Sequence, residues 1–148
     1  MRGIGGGDTG QFLEITCAPD STLQDEITAL MAANDKVEGK LVKLTWMGNY
    51  LVTSPDSGDI PDGEIMTCEK DNESGYLLGV RLFHYPDQNG GHHTPSCIKT
   101  LAYTGIIGLG DSAVTSGADY CKVTDGTTGG WGAVIAKDTV NGTVDVLF

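Results

Sequence analysis

The sequence predicts a mainly β fold, a small β-barrel or β-sandwich with one short amphipathic helix and a flexible glycine-rich N-terminal arm. Three observations predict it. Glycine occurs 22 times in 148 residues and separates short apolar runs. Thr and Val recur in those runs, often alternating with polar residues, as a half-buried strand requires. The runs are spaced about 8–12 residues apart, the spacing of sandwiches and small barrels. The length suits one domain with one sizeable core. No strong repeat and no Pro- or Ser-rich linker interrupts it, so residues 1–148 are read as a single β-rich domain.

Met1 to Gly10 reads as the arm. Gly5-Gly6-Gly7-Asp8-Thr9-Gly10 formally matches G-x-G-x-x-G, but that fingerprint works only between a strand and a helix N-terminus. Only four residues precede it and a strand-like segment follows, so the arm is the better reading.

Gln11 to Thr16 is a short strand. Ser21 to Ala33 is the one convincing helix: Leu23, Ile27, Leu30 and Met31 form one apolar stripe. Ser21 with Gln24 has capping-box spacing, Asp25 and Glu26 suit the positive end of the dipole, and Asn34 and Gly39 are stop signals. From Gly39 the period changes to two. "KLVKLTWM" sets Leu41, Lys43 and Thr45 against Val42, Leu44 and Trp46, and "NYLVT" follows a Gly-Asn turn. "SPDSGDIPDGE" is a loop by its Pro, Gly and Asp content. "EIMTCE" and "YLLGVRLFHY" are strands, "PDQNGGHHTPS" is a long turn, and "CIKTLAYTGIIGL" gives another strand or two. "AVTS", "YCKVT" and a closing hairpin, "WGAVIAKDTVNGTVDVLF", complete the set.

The formal charge is −11, from 9 basic and 20 acidic residues. Such a field repels phosphate, and no basic cluster interleaves with aromatics. Nucleic acid and an anionic membrane surface are therefore excluded as main partners. The first ten residues lack the apolar core of a secretory signal, and no window approaches the run of about 20 apolar residues that a membrane helix needs. Cys17, Cys68, Cys97 and Cys121 form no C-x-x-C; reduced thiols made in a cytoplasm are the default, and disulfides stay possible outside cells.

Two clusters carry candidate chemistry. His84, His92, His93 and Cys97 fall within 14 residues, and imidazole with thiolate can hold zinc, with Asp87 as an orienting partner. Their spacing matches no common zinc pattern, and a solvated loop is the bland alternative. Asp56, Asp59, Asp62 and Glu64 offer oxygens for a hard cation, but they lack the alternate spacing of a calcium loop. No catalytic motif singles out a nucleophile and base. The chain is read as a non-enzyme without cofactor.

Gly110 to Phe148, "GDSAVTSGADYCKVTDGTTGGWGAVIAKDTVNGTVDVLF", resembles the corresponding part of small tailed-phage head decoration or cement proteins. The matching elements are Gly110-Asp111, Val114, Lys122-Val123, Asp125-Gly126, Gly132 to Asp138 and Gly142 to Leu147. They are turns and strands, with no catalytic residue among them, and they cover about a quarter of the chain. The resemblance implies a β-tulip-like fold, a homotrimer, and a place on the outer surface of the virion capsid, bound to the phage major capsid protein. It also implies an arm that orders on the shell. Assembly contacts are then expected from Met1, Arg2, Gly5, Gly7 and Phe12 and from Val146, Leu147 and Phe148. The alternatives are a neck or tail structural protein, or a small metal-binding module or metal-dependent hydrolase built on the histidine loop.

The closing hairpin has a definite expected register. A two-residue Asn141-Gly142 turn would set Asp138 opposite Asp145, an unfavourable like-charge pair. A four-residue loop, Thr139 to Gly142, instead pairs Lys137 with Val144, Ile135 with Val146 and Ala133 with Phe148. Deleting residues 145–148 is expected to abolish folding or trimerisation, measured by circular dichroism and light scattering. A soluble truncation that assembles normally would contradict this.

Overall fold

The computed structural model of the chain describes residues 8, 12–45, 51–71, 75–86, 92–93, 97–116, 119–128 and 132–148. It is mainly β with one short helix, and the chain forms two compact units. One comprises Leu13–Pro55 and Pro61–His93; the other comprises Met1–Phe12, Asp56–Ile60 and Thr94–Phe148. The sequence, read as one domain, hides this division because the chain passes between the units four times with no Pro- or Ser-rich linker to mark the crossings.

The first unit contains β1 (Leu13–Pro19), α1 (Ser21–Ala32), β2 (Leu41–Leu44), β3 (Leu51–Thr53), β4 (Gly63–Asp71) and β5 (Gly75–Leu82). Its strands close into a barrel in the order β1-β3-β2-β4-β5. β5 shows why: Tyr76, Leu78, Val80 and Leu82 are buried while the residues between them are more exposed, the two-residue alternation of a one-sided strand. With Cys17, Val42, Val52 and Ile65 they form the core, which α1 completes with Leu23 and Ile27. At Gly63 a Cβ would lie 2.5 Å from the Arg81 carbonyl oxygen, so the β4–β5 approach tolerates no side chain there. β6 (Tyr85–Pro86) and β7 (His92–His93) make a small two-stranded ladder inside the expected long turn.

The helix is capped one residue earlier than expected. Asp20, not Ser21, is the N-cap: its carboxylate accepts from Leu23 N–H at 2.9 Å. Asp25 and Glu26 therefore fall beyond the first turn. Asn34 acts as the stop, with φ +55; Asn34 N–H donates to Met31 O and Asp35 N–H to Leu30 O, a Schellman closure. Leu23 and Ile27 are fully buried, but Met31 is largely exposed, so the apolar stripe narrows at its end. Leu41 and Val42 are both buried, against the alternation expected of β2, and Trp46 lies outside the described residues.

The second unit contains β8 (Ile98–Tyr103), β9 (Asp111–Ser116), β10 (Asp119–Thr128), β11 (Ala133–Asp138) and β12 (Thr143–Leu147), closed in the order β10-β8-β12-β11-β9. Residues 104–110 form a loop, not the second strand that "TGIIGL" suggested. β10 is longer than "YCKVT" and runs on through Asp125-Gly126 to Thr128.

The two barrels share one connectivity, which the sequence did not reveal as a repeat. In each, the first strand runs parallel to the third and antiparallel to the fifth. The second lies between third and fourth, and the fourth pairs with the fifth. Register matches too: the first strand's opening residue faces the fifth strand's last, Leu13 with Leu82 and Ile98 with Leu147. The parallel contact falls at the end of the first strand in both, Pro19 with Val52 and Tyr103 with Val123. Residue types and connections differ, α1 standing in one where the 104–110 loop stands in the other, and this conceals the equivalence.

The closing hairpin has the expected four-residue loop, with Asp138 facing Thr143 and Lys137 facing Val144. Asp138 accepts from Val140 N–H and Asn141 N–H, and Gly142 supplies φ +67. Beyond Ala136 a bulge shifts the ladder by one, so Val134 faces Val146 and Ala133 faces Leu147. The expected Ile135–Val146 and Ala133–Phe148 pairs do not form. The bulge turns Val134 inward and leaves Ile135 half exposed.

Ile27→Ala is expected to destabilise the first unit by about 2–5 kcal/mol, the cost of emptying a filled core site. Met31→Ala is expected to stay within about 0.5 kcal/mol. Urea unfolding followed by circular dichroism measures both, and equal effects would contradict the assigned helix face.

Candidate functional site

Of the histidine loop, the described side chains are those of His84 and Cys97, and Asp87 lies outside the described residues. His84 is buried, and its Nε2 lies 3.0 Å from both Asp62 Oδ1 and Pro61 O. Both are acceptors, so Nε2 carries the hydrogen and donates. Asp62 Oδ2 in turn accepts from Leu44 N–H at 2.9 Å. His84 is thus a clasp between the segment entering β4 and the end of β2, and ligating a metal through Nε2 would break it. His92 and His93 occupy the β7 ladder of the same unit, whereas Cys97 belongs to the second unit. Among the described residues, no three His, Cys, Asp or Glu side chains form a metal-holding group.

The acidic loop is divided in sequence between the two units. Asp59 Oδ2 accepts from Asp56 N–H within the second unit, while Asp62 turns into the first barrel toward His84 and Glu64 is nearly buried in β4.

A buried polar cluster that the sequence did not signal lies under α1. Lys40 is fully buried; its Nζ is 3.0 Å from Glu26 Oε2 and 2.9 Å from Ser54 Oγ, and Ser54 donates to the same carboxylate. A serine beside a lysine suggests a nucleophile and its base. Here the lysine donates to Ser54 and is paired with Glu26, so it cannot take the serine proton. The arrangement ties α1 to the barrel. Its three members are ordinary residue types far apart in sequence, and only the fold unites them.

Of the expected assembly residues, Met1, Arg2, Gly5 and Gly7 lie outside the described residues, and Phe12 is half-buried. Within the arm, Asp8 is tied down: it accepts from Lys99 Nζ at 2.8 Å and from Thr100 N–H at 3.0 Å. Val146 and Phe148 are buried, and Leu147 is half exposed. Phe148 exchanges two backbone hydrogen bonds with Cys97, which extends the β12–β8 pairing past both strands.

All four cysteines are thiols. Burial pushes Cys17 and Cys97 up to about 11, with the Asp8 carboxylate adding to the effect at Cys97. Burial, then Glu38, also raises Cys68. None of these three is the lowered-pKa thiolate that cysteine chemistry or metal binding favours. No family model, curated protein or solved structure matches the chain.

A thiol pKa raised by folding means the native state holds its proton more tightly than the unfolded chain. The stability it contributes is fully present below the ordinary value of 9.0 and is lost as pH rises toward about 11. Cys17→Ala with Cys97→Ala is therefore expected to flatten the fall in melting temperature between those pH values relative to wild type. An unchanged slope would contradict the burial of these thiols.

Proposed function

We propose that the chain is a structural virion protein, a capsid decoration or cement protein that binds the outside of an assembled phage head and stabilises its major capsid subunits. One observation carries the reading: the residues that resemble such proteins fall on consecutive strands of one barrel. Gly110-Asp111 opens β9, Val114 is a buried position of that strand, and Lys122-Val123 lies in β10. Gly132 to Asp138 becomes β11, and Gly142 leads into β12. The resemblance thus coincides with four of the five strands of a closed barrel, not with scattered residues.

The chemistry of this function needs no reactive group. A protein that binds only the assembled shell shifts the assembly equilibrium toward it by mass action. Many copies, each bridging neighbouring subunits, add avidity to modest single contacts. The net charge of −11 suits a partner carrying basic loops. A homotrimer at three-fold positions is part of the proposal.

Quantitative mass spectrometry of purified virions, with an electron-microscopy reconstruction, tests it. The expected result is a copy number comparable to that of the major capsid protein and density on the outer face of the head. Absence from the particle would overturn the proposal, and a few copies at the neck or tail would replace it with a connector or tail role.

A further inference from the structure

Residues 104–110 leave β8, and residues 139–142 join β11 to β12, at the same end of the second barrel. Tyr103 N–H donates to Gly142 O at 3.2 Å, and Lys137 Nζ donates to Ile107 O at 2.9 Å, so the two connections lie side by side. Ile107 is buried and anchors the loop. Its neighbours face water: Ile106 is 87% exposed, Leu109 68% and Val140 91%. Single exposed aliphatic residues are ordinary, but three on two adjoining connections are a patch.

The patch is held in place. Asp111 accepts from Gly108 N–H at 2.8 Å, Gly110 N–H donates to Val134 O at 2.8 Å, and Asp138 accepts from the backbone N–H groups of Val140 and Asn141. A surface fixed in this way loses little conformational entropy on binding. Its border is acidic. Asp111 and Asp138 flank the apolar residues in sequence, and exposed Asp125 follows Thr124, which packs beside Gly105. Hydrogen bonds from the Asn141 side chain and backbone hold the Asp138 carboxyl below the usual carboxylate range, so it stays ionised. Two lysines stand close by: Lys137 Nζ donates to Ile107 O and lies 4.8 Å from the Tyr103 ring centroid, and Lys122 faces Ala102 on β10. Against the three carboxylates they leave the border net negative.

We propose that this rim, with Ile106, Leu109 and Val140 at its centre and Asp111, Asp125 and Asp138 at its edge, seats on a protein surface whose apolar centre is bordered by Lys and Arg. Resting on the capsid-binding reading, it identifies the face that meets the shell. A second copy of the chain is the poorer occupant, because it would bring acidic borders or a surface with 20 acidic and 9 basic residues against the same carboxylates.

The test uses the full chain and heads of the parent phage prepared without this protein, with binding measured by co-sedimentation. The variants are the triple substitution Ile106→Ser, Leu109→Ser and Val140→Ser, the border substitution Asp125→Asn, and Leu77→Ser on the first barrel as control. All change exposed positions, and circular dichroism checks their folding. Wild type and L77S are expected to bind alike, the triple variant to lose at least about tenfold in affinity, and D125N to bind more weakly with a shallower salt dependence. Undiminished binding by the triple variant overturns the rim while leaving the capsid reading intact. Failure of wild type to bind removes both. Loss of the wild-type oligomer in the triple variant, read by light scattering, would assign the rim to self-association and also overturn the proposal.

Discussion

A sheet of five short strands has two unpaired edges, and an exposed edge invites pairing with other chains. Both units of this protein remove their edges by the same device. The first strand is held on one side by the fifth, antiparallel along its length, and on the other by the third, parallel for only two residue pairs. That short parallel contact is what turns each sheet into a barrel. It gives each barrel a closed interior for the alternating apolar residues to fill, and it leaves the connections at the barrel ends as surface. The apolar rim of the second barrel exists because β8 stops at Tyr103 to make its parallel contact with β10, sending the next residues outward as a loop.

Closure also decides where polar groups can go. Lys40 and His84 are both buried in the first unit, and each is held by a carboxylate and an uncharged oxygen. Removing one partner from such a group leaves an uncompensated buried charge or donor, which costs more than the pair contributes. These groups are best understood as fasteners for α1 and for the entry to β4. Cys17 and Cys97, with thiols raised by burial, are filling of the same kind. His84, Cys17 and Cys97 thus have structural places in the described barrels, and the second barrel carries an ordered apolar rim on a protein that is acidic overall.

Local signals were the most legible part of the sequence. The helix stop at Asn34 and the four-residue loop of the closing hairpin were both readable, because each follows from a few adjacent residues. Ser21 misled as N-cap because Asp20, one step earlier, offers a carboxylate with the right reach. The bulge at Ile135 was invisible because it depends on Val134 having a place inside the barrel. Ile106 and Leu109 looked like strand residues because apolar composition alone does not distinguish an inward strand from an exposed rim. The two-barrel organisation was the least legible feature. It resides in which strands pair, and pairing partners such as Pro19 with Val52 leave no shared residue pattern with Tyr103 and Val123.

Native-state hydrogen exchange, resolved residue by residue by NMR, tests barrel closure most directly. If both sheets are closed, the ladder-bonded amides of β1 and β8 exchange with protection like those of the β4–β5 and β11–β12 hairpins, since no edge strand is left to fray. Rapid exchange of β1 and β8 beside protected hairpins would mean that the sheets are open, and the account of both barrels would fail.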